Sequence, residues 1–201
     1  MNLKYDIREL QQLRERLEDD QGAVEKALRW SVDATSKKAA TFISRDLRST
    51  YAIKAGDVKR RLKIERARRD ATRALLYTGR RLPLAQFAPK EKWVAASPKR
   101  RVRSGPRKGR LLRRKGATVR VRKDRGRQLV PGGWLAKGHI LRRADQSQSS
   151  SQPRMQYGPS IPGMVAHPET INQAQEFVRQ DLPEQFSDRL DYLLSKKVGQ
   201  I

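Results

Sequence analysis

Nearly all of the net charge of this 201-residue chain lies in its middle, and that restricts where a core can form. Residues 51–167 hold 32 Lys and Arg against 6 Asp and Glu, a net of +26. Residues 1–50 carry 10 basic and 9 acidic side chains, and residues 168–201 carry 4 and 6. The formal +25 of the chain therefore belongs to one segment. Like charges crowded along a backbone repel one another and resist burial. Segment 97–127 has too few apolar residues to bury anything sizeable, and in isolation is expected to be extended or mobile. The near-neutral ends are expected to supply packing surface, while the middle attracts a polyanion.

The remaining composition narrows the function classes. Hydrophobic residues make up 36%, below the roughly 45–50% of a typical globular domain. The chain can bury one modest core, so one domain overall is expected. Cysteine is absent, which excludes disulfides and thiolate chemistry. His139 and His167 are the two histidines, and they read as surface or capping residues rather than ligands. No cofactor or metal is expected. No run approaches the roughly 18 apolar residues of a membrane span, and the start Met-Asn-Leu-Lys-Tyr-Asp lacks a secretory layout. A soluble protein made in the cytoplasm, with no membrane partner, is expected.

Periodicity sketches the elements. Leu3, Ile7, Leu10, Leu13 and Leu17 repeat at helical spacing, and the pattern resumes at Val24, Leu28, Val32, Thr35, Ala39, Phe42, Ile43 and Leu47. One long helix or two, ending near Ser49, is expected. Gly56-Asp57 offers another helix start, leading into the basic run 58–69 with Leu62 as its clearest buried contact. Ala74-Leu75-Leu76-Tyr77-Thr78 reads as β, and Pro83 restricts the phrase 81–87 to an edge or a bulge. Residues 88–116 form a basic low-complexity insertion. Strands are expected at 117–122, with one face buried and Arg on the other, and at 127–130 and 134–142. Residues 146–153 read as a Ser/Gln linker and 157–163 as a structured loop. Pro168 suits the first turn of a final helix with Ile171, Ala174, Phe177, Val178, Phe186, Leu190, Leu193 and Leu194 on one face, and Pro183 kinks or restarts it.

The expected class is α+β: long N-terminal helices and a C-terminal helix packed on a small antiparallel sheet, with a long basic loop or arm. The division is 1–50 helical, 51–145 basic helix plus sheet with the insertion 88–116, 146–167 linker and loop, and 168–201 helix.

Chemistry is sparse except in the basic tract. From 99 to 127, 15 of 29 residues are Lys or Arg and only Asp124 is acidic. A solubilising loop is the plain reading. Contact with phosphates is favoured at this density, since each neutralised phosphate releases counterions. No zinc-finger spacing or helix-turn-helix is present, so binding is expected to follow the backbone without reading sequence. Trp93 and Trp134 lie near the tract. Such residues stack on bases, or more commonly anchor a loop or fill a core. Trp30 reads as a packing residue or a subunit contact. Pro131-Gly132-Gly133 lacks the spacing, Lys and Ser/Thr of a phosphate loop. Asp19-Asp20 point in different directions on a helix. An enzyme is not expected.

Several phrases, in order, resemble one family, the minor tail protein Z or tail completion proteins of long-tailed bacteriophages. They are Val58-Lys59-Arg60-Arg61-Leu62-Lys63-Ile64-Glu65-Arg66-Ala67; Arg80-Arg81-Leu82-Pro83-Leu84-Ala85-Gln86-Phe87; Lys115-Gly116-Ala117-Thr118-Val119-Arg120-Val121 with Val130-Pro131-Gly132-Gly133-Trp134-Leu135 and Gly138-His139-Ile140-Leu141-Arg142-Arg143; and Tyr157-Gly158-Pro159-Ser160-Ile161-Pro162. The likeness spans about 24 to 197. The chain departs from the family pattern in its long Arg/Lys-rich insertion and in Trp134, where a Phe is usual. The resemblance implies a structural virion protein at the head-proximal end of the tail, touching the tail terminator, the head–tail connector proteins and the tail tube. It further implies a role in helping the tail join the head and take up the genome end.

Residues expected to contact genomic DNA nonspecifically are Arg80, Arg81, Lys99, Arg100, Arg101, Arg103, Arg107, Lys108, Arg110, Arg113, Arg114, Arg120 and Arg122. Leu10, Leu13, Leu17, Trp30, Phe177 and Leu190 are expected at protein interfaces, in a homo-oligomer arranged as a ring. The competing reading is a free, sequence-nonspecific nucleic-acid-binding protein of ribosomal or nucleoid type.

Overall fold

The structure, a computed structural model, describes residues 21–66, 73–96, 99–148 and 150–198. Leu3, Ile7, Leu10, Leu13, Leu17 and Asp19-Asp20 lie outside the described residues. The class is α+β, with long helices toward both ends of the sequence and small antiparallel sheets between them.

Helix α1 spans Gln21–Thr50. Its buried row is Ala27, Ser31, Thr35, Ala39, Ile43 and Leu47, every fourth residue. That row is the ridge helices use when they interlock, and its small side chains allow close approach. Leu28, expected in the stripe, is instead exposed. From Thr35 onward the buried row follows the expected stripe, and over the first turns it shifts by one residue to Ala27 and Ser31.

Helix α4, Pro168–Val198, runs antiparallel to α1. Thr35 Oγ1 donates to Asp181 Oδ2 at 2.8 Å, and Lys38 Nζ donates to Asp181 Oδ1 at 2.7 Å. Phe42 stacks on Phe177 with centroids 4.9 Å apart. Nearer the start of α4, Thr170 Oγ1 donates to Asp46 Oδ2 at 2.8 Å. Positions rise along α1 as they fall along α4, which sets the direction. Pro183 lies within α4 and neither ends nor restarts it. It is exposed, and it removes one backbone donor from the helix. Ile171 is exposed rather than packed, since Thr170 takes the contact with α1.

The basic run expected as a helix over 58–69 is not one in its described part, which ends at Arg66. Helix α2 covers only Ala55–Lys59, and strand β1 follows at Leu62–Arg66, paired with β2, Arg73–Tyr77. Val58 is fully buried, while Leu62 is only half-buried. Asp57 is buried, holds the Arg60 guanidinium and does not serve as the N-cap. The β-branched Ile64 and the apolar Ala74-Leu75-Leu76 partner favour a strand pair over a helix loaded with cations.

Contacts group the chain into two compact units, neither a continuous stretch. One includes α1 to Phe42, residues 63–76, and α4 from Ile171. The other comprises Ile43–Leu62 and Tyr77–Thr170. In this second unit β3, Lys90–Ala95, pairs antiparallel with β4, Arg113–Val119, from Lys90↔Thr118 to Ala95↔Arg113. Strand β5, Gln128–Leu129, pairs with the other edge of β4. A second sheet has the order β6-β7-β8, made of Trp134–Ala136, His139–Arg143 and Pro153–Met155. The buried core of this unit includes Leu82, Phe87, Val119, Ile140, Ile161 and Met164.

Several local expectations change here. The strand expected over 134–142 is a hairpin, turned by Lys137 (φ 48°) and Gly138 (φ 77°). Two consecutive positive φ values make the tight turn that matches strand twist. The strand expected at 117–122 begins at Arg113, ends at Val119, and is buried without alternation from Gly116 to Val119. As the central strand it is flanked by β3 and β5, and β6 packs against it. The Ser/Gln stretch is the loop of the β7–β8 hairpin, where Asp145 N donates to Ser151 Oγ at 2.8 Å. Pro83 makes one bridge to Tyr157, then a 3₁₀ turn follows at Leu84–Gln86. Within the expected loop 157–163, Ser160 caps a short helix α3, Ile161–Val165, by accepting from Gly163 N.

Candidate nucleic-acid interface

The Arg/Lys-rich insertion is a hydrogen-bonded hairpin rather than a loose loop. Beyond the β3–β4 register, Ala96 N donates to Leu112 O at 2.7 Å and Leu112 N to Arg100 O at 2.8 Å. Val102 N donates to Arg110 O at 2.8 Å, and Gly109 N to Val102 O at 3.0 Å. Gly105 and Gly109, at φ 84° and 82°, turn the chain where other residues would be strained. The backbone thus satisfies itself with little apolar burial, which lets so basic a segment stay ordered.

The expected cationic residues divide by what they touch. Lys99, Arg100, Arg101, Arg103, Arg107, Lys108, Arg110 and Arg113 all lie exposed on the hairpin. Arg101 Nη1 donates to Gly109 O at 2.8 Å and braces the tip. Arg100, Arg103, Arg107, Lys108, Arg110 and Arg113 form no ion pair among the described residues. Lys115 is held by Glu91 at 2.9 Å, and Arg114 is half-buried.

Arg80 and Arg81 are exposed ahead of the buried Leu82, off the hairpin. Arg120 is exposed and donates to Lys123 O. Arg122 turns inward: Nε lies 3.0 Å from Asp124 Oδ1 and the guanidinium 5.7 Å from the Tyr51 ring. The hydrogen bond holds the Asp124 carboxyl below its ordinary range. The same segment joins the end of α1, where Lys123 N donates to Thr50 O at 2.7 Å.

The aromatics separate in the same way. Trp134 is half-buried with the Arg143 guanidinium 5.9 Å above its ring, a packing role. Trp93 is 56% exposed on β3, directly across from Lys115 and diagonal to Arg113. It belongs beside the cationic residues as a candidate contact. The signal for it is the alternation Glu91, Trp93, Ala95, which puts the indole on an open strand face once a strand is recognised there. Among the interface candidates, Trp30 is 38% exposed with Lys26 Nζ 4.9 Å from its ring. Phe177 is occupied by Phe42, and Leu190 is half-buried on α4. Leu10, Leu13 and Leu17 lie outside the described residues.

No group of three or more His, Cys, Asp or Glu able to hold a metal occurs among the described residues. No described helix is long and apolar enough to cross a membrane. The family model for prophage minor tail protein Z (GPZ) matches residues 3–199. The chain belongs to that family. A member of this family is a structural protein of the phage tail, hence a component of the virion that acts through contacts with other virion components. No curated protein and no solved structure matches the chain.

Proposed function

We propose that this minor tail protein completes the tail at its head-proximal end and holds the genome end through its basic hairpin. Its neighbours in this reading are the tail terminator, the head–tail connector and the tail tube, with copies arranged as a homo-oligomeric ring. The observation that carries it is the exposed hairpin, six of whose guanidinium and ammonium groups have no internal ion-pair partner among the described residues. Cations held on a hydrogen-bonded hairpin and left unneutralised lower the electrostatic cost of bringing in a polyanion. A duplex offers one negative charge per ~1.7 Å, so several copies around it contact many phosphates without reading bases. Family membership favours this over a free nucleoid-type protein, whose charge would serve equally well.

Replacing Arg100, Arg101, Arg103, Arg113 and Arg114 with Gln tests the reading. The fold is expected to survive, since none of the five is fully buried. The slope of log affinity for duplex against log salt should fall by about 0.9 for each phosphate that is no longer neutralised. Particles carrying the variant should lose DNA retention or infectivity. Wild-type slope and infectivity together would remove the hairpin from genome handling.

A further inference from the structure

One face of the hairpin carries a groove of ≈ 510 Å³ beside Trp93. Leu111, Leu112, Arg107, Arg110 and Arg113 line it, with no acidic residue in the lining. Trp93, Leu111 and Leu112 are all exposed. The apolar area is therefore open to water inside the most cationic part of the chain.

A duplex explains the arginines and not the indole. Along a duplex each base face is covered by its neighbours, so its grooved outer surface gives Trp93 nothing to stack on. An unpaired nucleotide presents both a flat face for the indole and a phosphate for the guanidiniums. The volume falls within the roughly 300–1,000 Å³ of small-ligand sites, enough for a base and its sugar. We propose that the Trp93 groove binds an unpaired stretch of DNA, one base on the indole and the flanking phosphates on Arg107, Arg110 and Arg113. The assignment rests on the genome-end reading and adds strand state to it: the hairpin meets the end where it is single-stranded. Stacking accepts any base, so the preference is for strand state and not for sequence.

The test compares an oligothymidylate of about 20 nucleotides with a blunt duplex of equal length, using the full chain, Trp93→Ala and Trp93→Phe, by fluorescence anisotropy. Loss of one stacked base is worth about 5- to 150-fold in affinity. Trp93→Ala should lose that factor for the single strand and keep wild-type affinity for the duplex, while Trp93→Phe retains most of both. Quenching of tryptophan emission by oligothymidylate should shrink in Trp93→Ala. Equal losses on both DNAs, or none on the single strand, overturns the stacking site and leaves duplex binding by the hairpin standing. If neither DNA binds at low salt, both readings are overturned. Trp93-dependent capture of a Glu/Leu-rich peptide without single-strand binding makes the groove a protein dock and overturns the assignment.

Discussion

Among single residues, two buried polar groups behave in opposite ways. The Tyr77 hydroxyl is buried with no hydrogen-bond partner among the described residues, and burial pushes its pKa up to about 12. The unfolded chain releases that proton near pH ~10, while the folded chain holds it until about 12. Between those values the folded state binds more protons, so stability falls as pH rises. Tyr77→Phe should raise Tm at neutral pH, because an unsatisfied hydroxyl is removed. Denaturation of both proteins across that range should show the wild type losing stability relative to the variant. Asp181 is the satisfied case, gripped by Thr35 and Lys38 from α1. Asp181→Ala leaves the buried Thr35 hydroxyl without its acceptor and should cost about 1–3 kcal/mol in urea unfolding. Periodicity marks Thr35 as part of an inward stripe. Nothing in spacing alone pairs it with a residue 146 positions away.

Among the elements, short-range chemistry is legible in the sequence and pairing is not. Both long helices can be read from apolar spacing, because a 3.6-residue period repeated over many turns has few alternatives. The hairpins are harder. Lys137-Gly138 reverses the chain inside an otherwise continuous apolar run, and a Lys at positive φ carries no strong turn signal. The basic insertion looks unstructured when judged by burial, yet β3 with β4 orders it through backbone hydrogen bonds. Gly116 fixes that pair: a Cβ there would lie 2.8 Å from Val94 Cγ2. Val94 is stiff at χ1. Gly116→Ala should therefore overpack the hairpin base at a cost of about 1–3 kcal/mol, read as a lowered Tm with exposure of the β3–β4 amides in hydrogen exchange.

Across the whole molecule, charge and packing are divided between segments. The cations sit on a hairpin that contributes little to the core, while α1 carries a buried row and is tied to α4 by interhelical bonds. Neutralising the hairpin and weakening the helices should thus have separable effects, one on DNA and one on stability. We propose that the chain nonetheless unfolds as one domain, since α1 and α4 each run through both compact units. Melting followed by far-ultraviolet dichroism and by tryptophan emission should then give one coincident transition, and two separated midpoints would divide it.

Charge layout, the two long helices and the α+β class are legible in the sequence itself, because net charge and helical periodicity are local sums along the chain. Family resemblance is likewise visible in ordered phrases such as Tyr157-Gly158-Pro159-Ser160-Ile161-Pro162. Which Arg faces solvent, and which, like Arg122, is spent on Asp124 and Tyr51, emerged from the folded chain alone. So did the contrast between Trp134, which packs, and Trp93, which stays open. Both distinctions depend on what lies across from a residue, and that neighbour is set by strand register rather than by the residue's own sequence context.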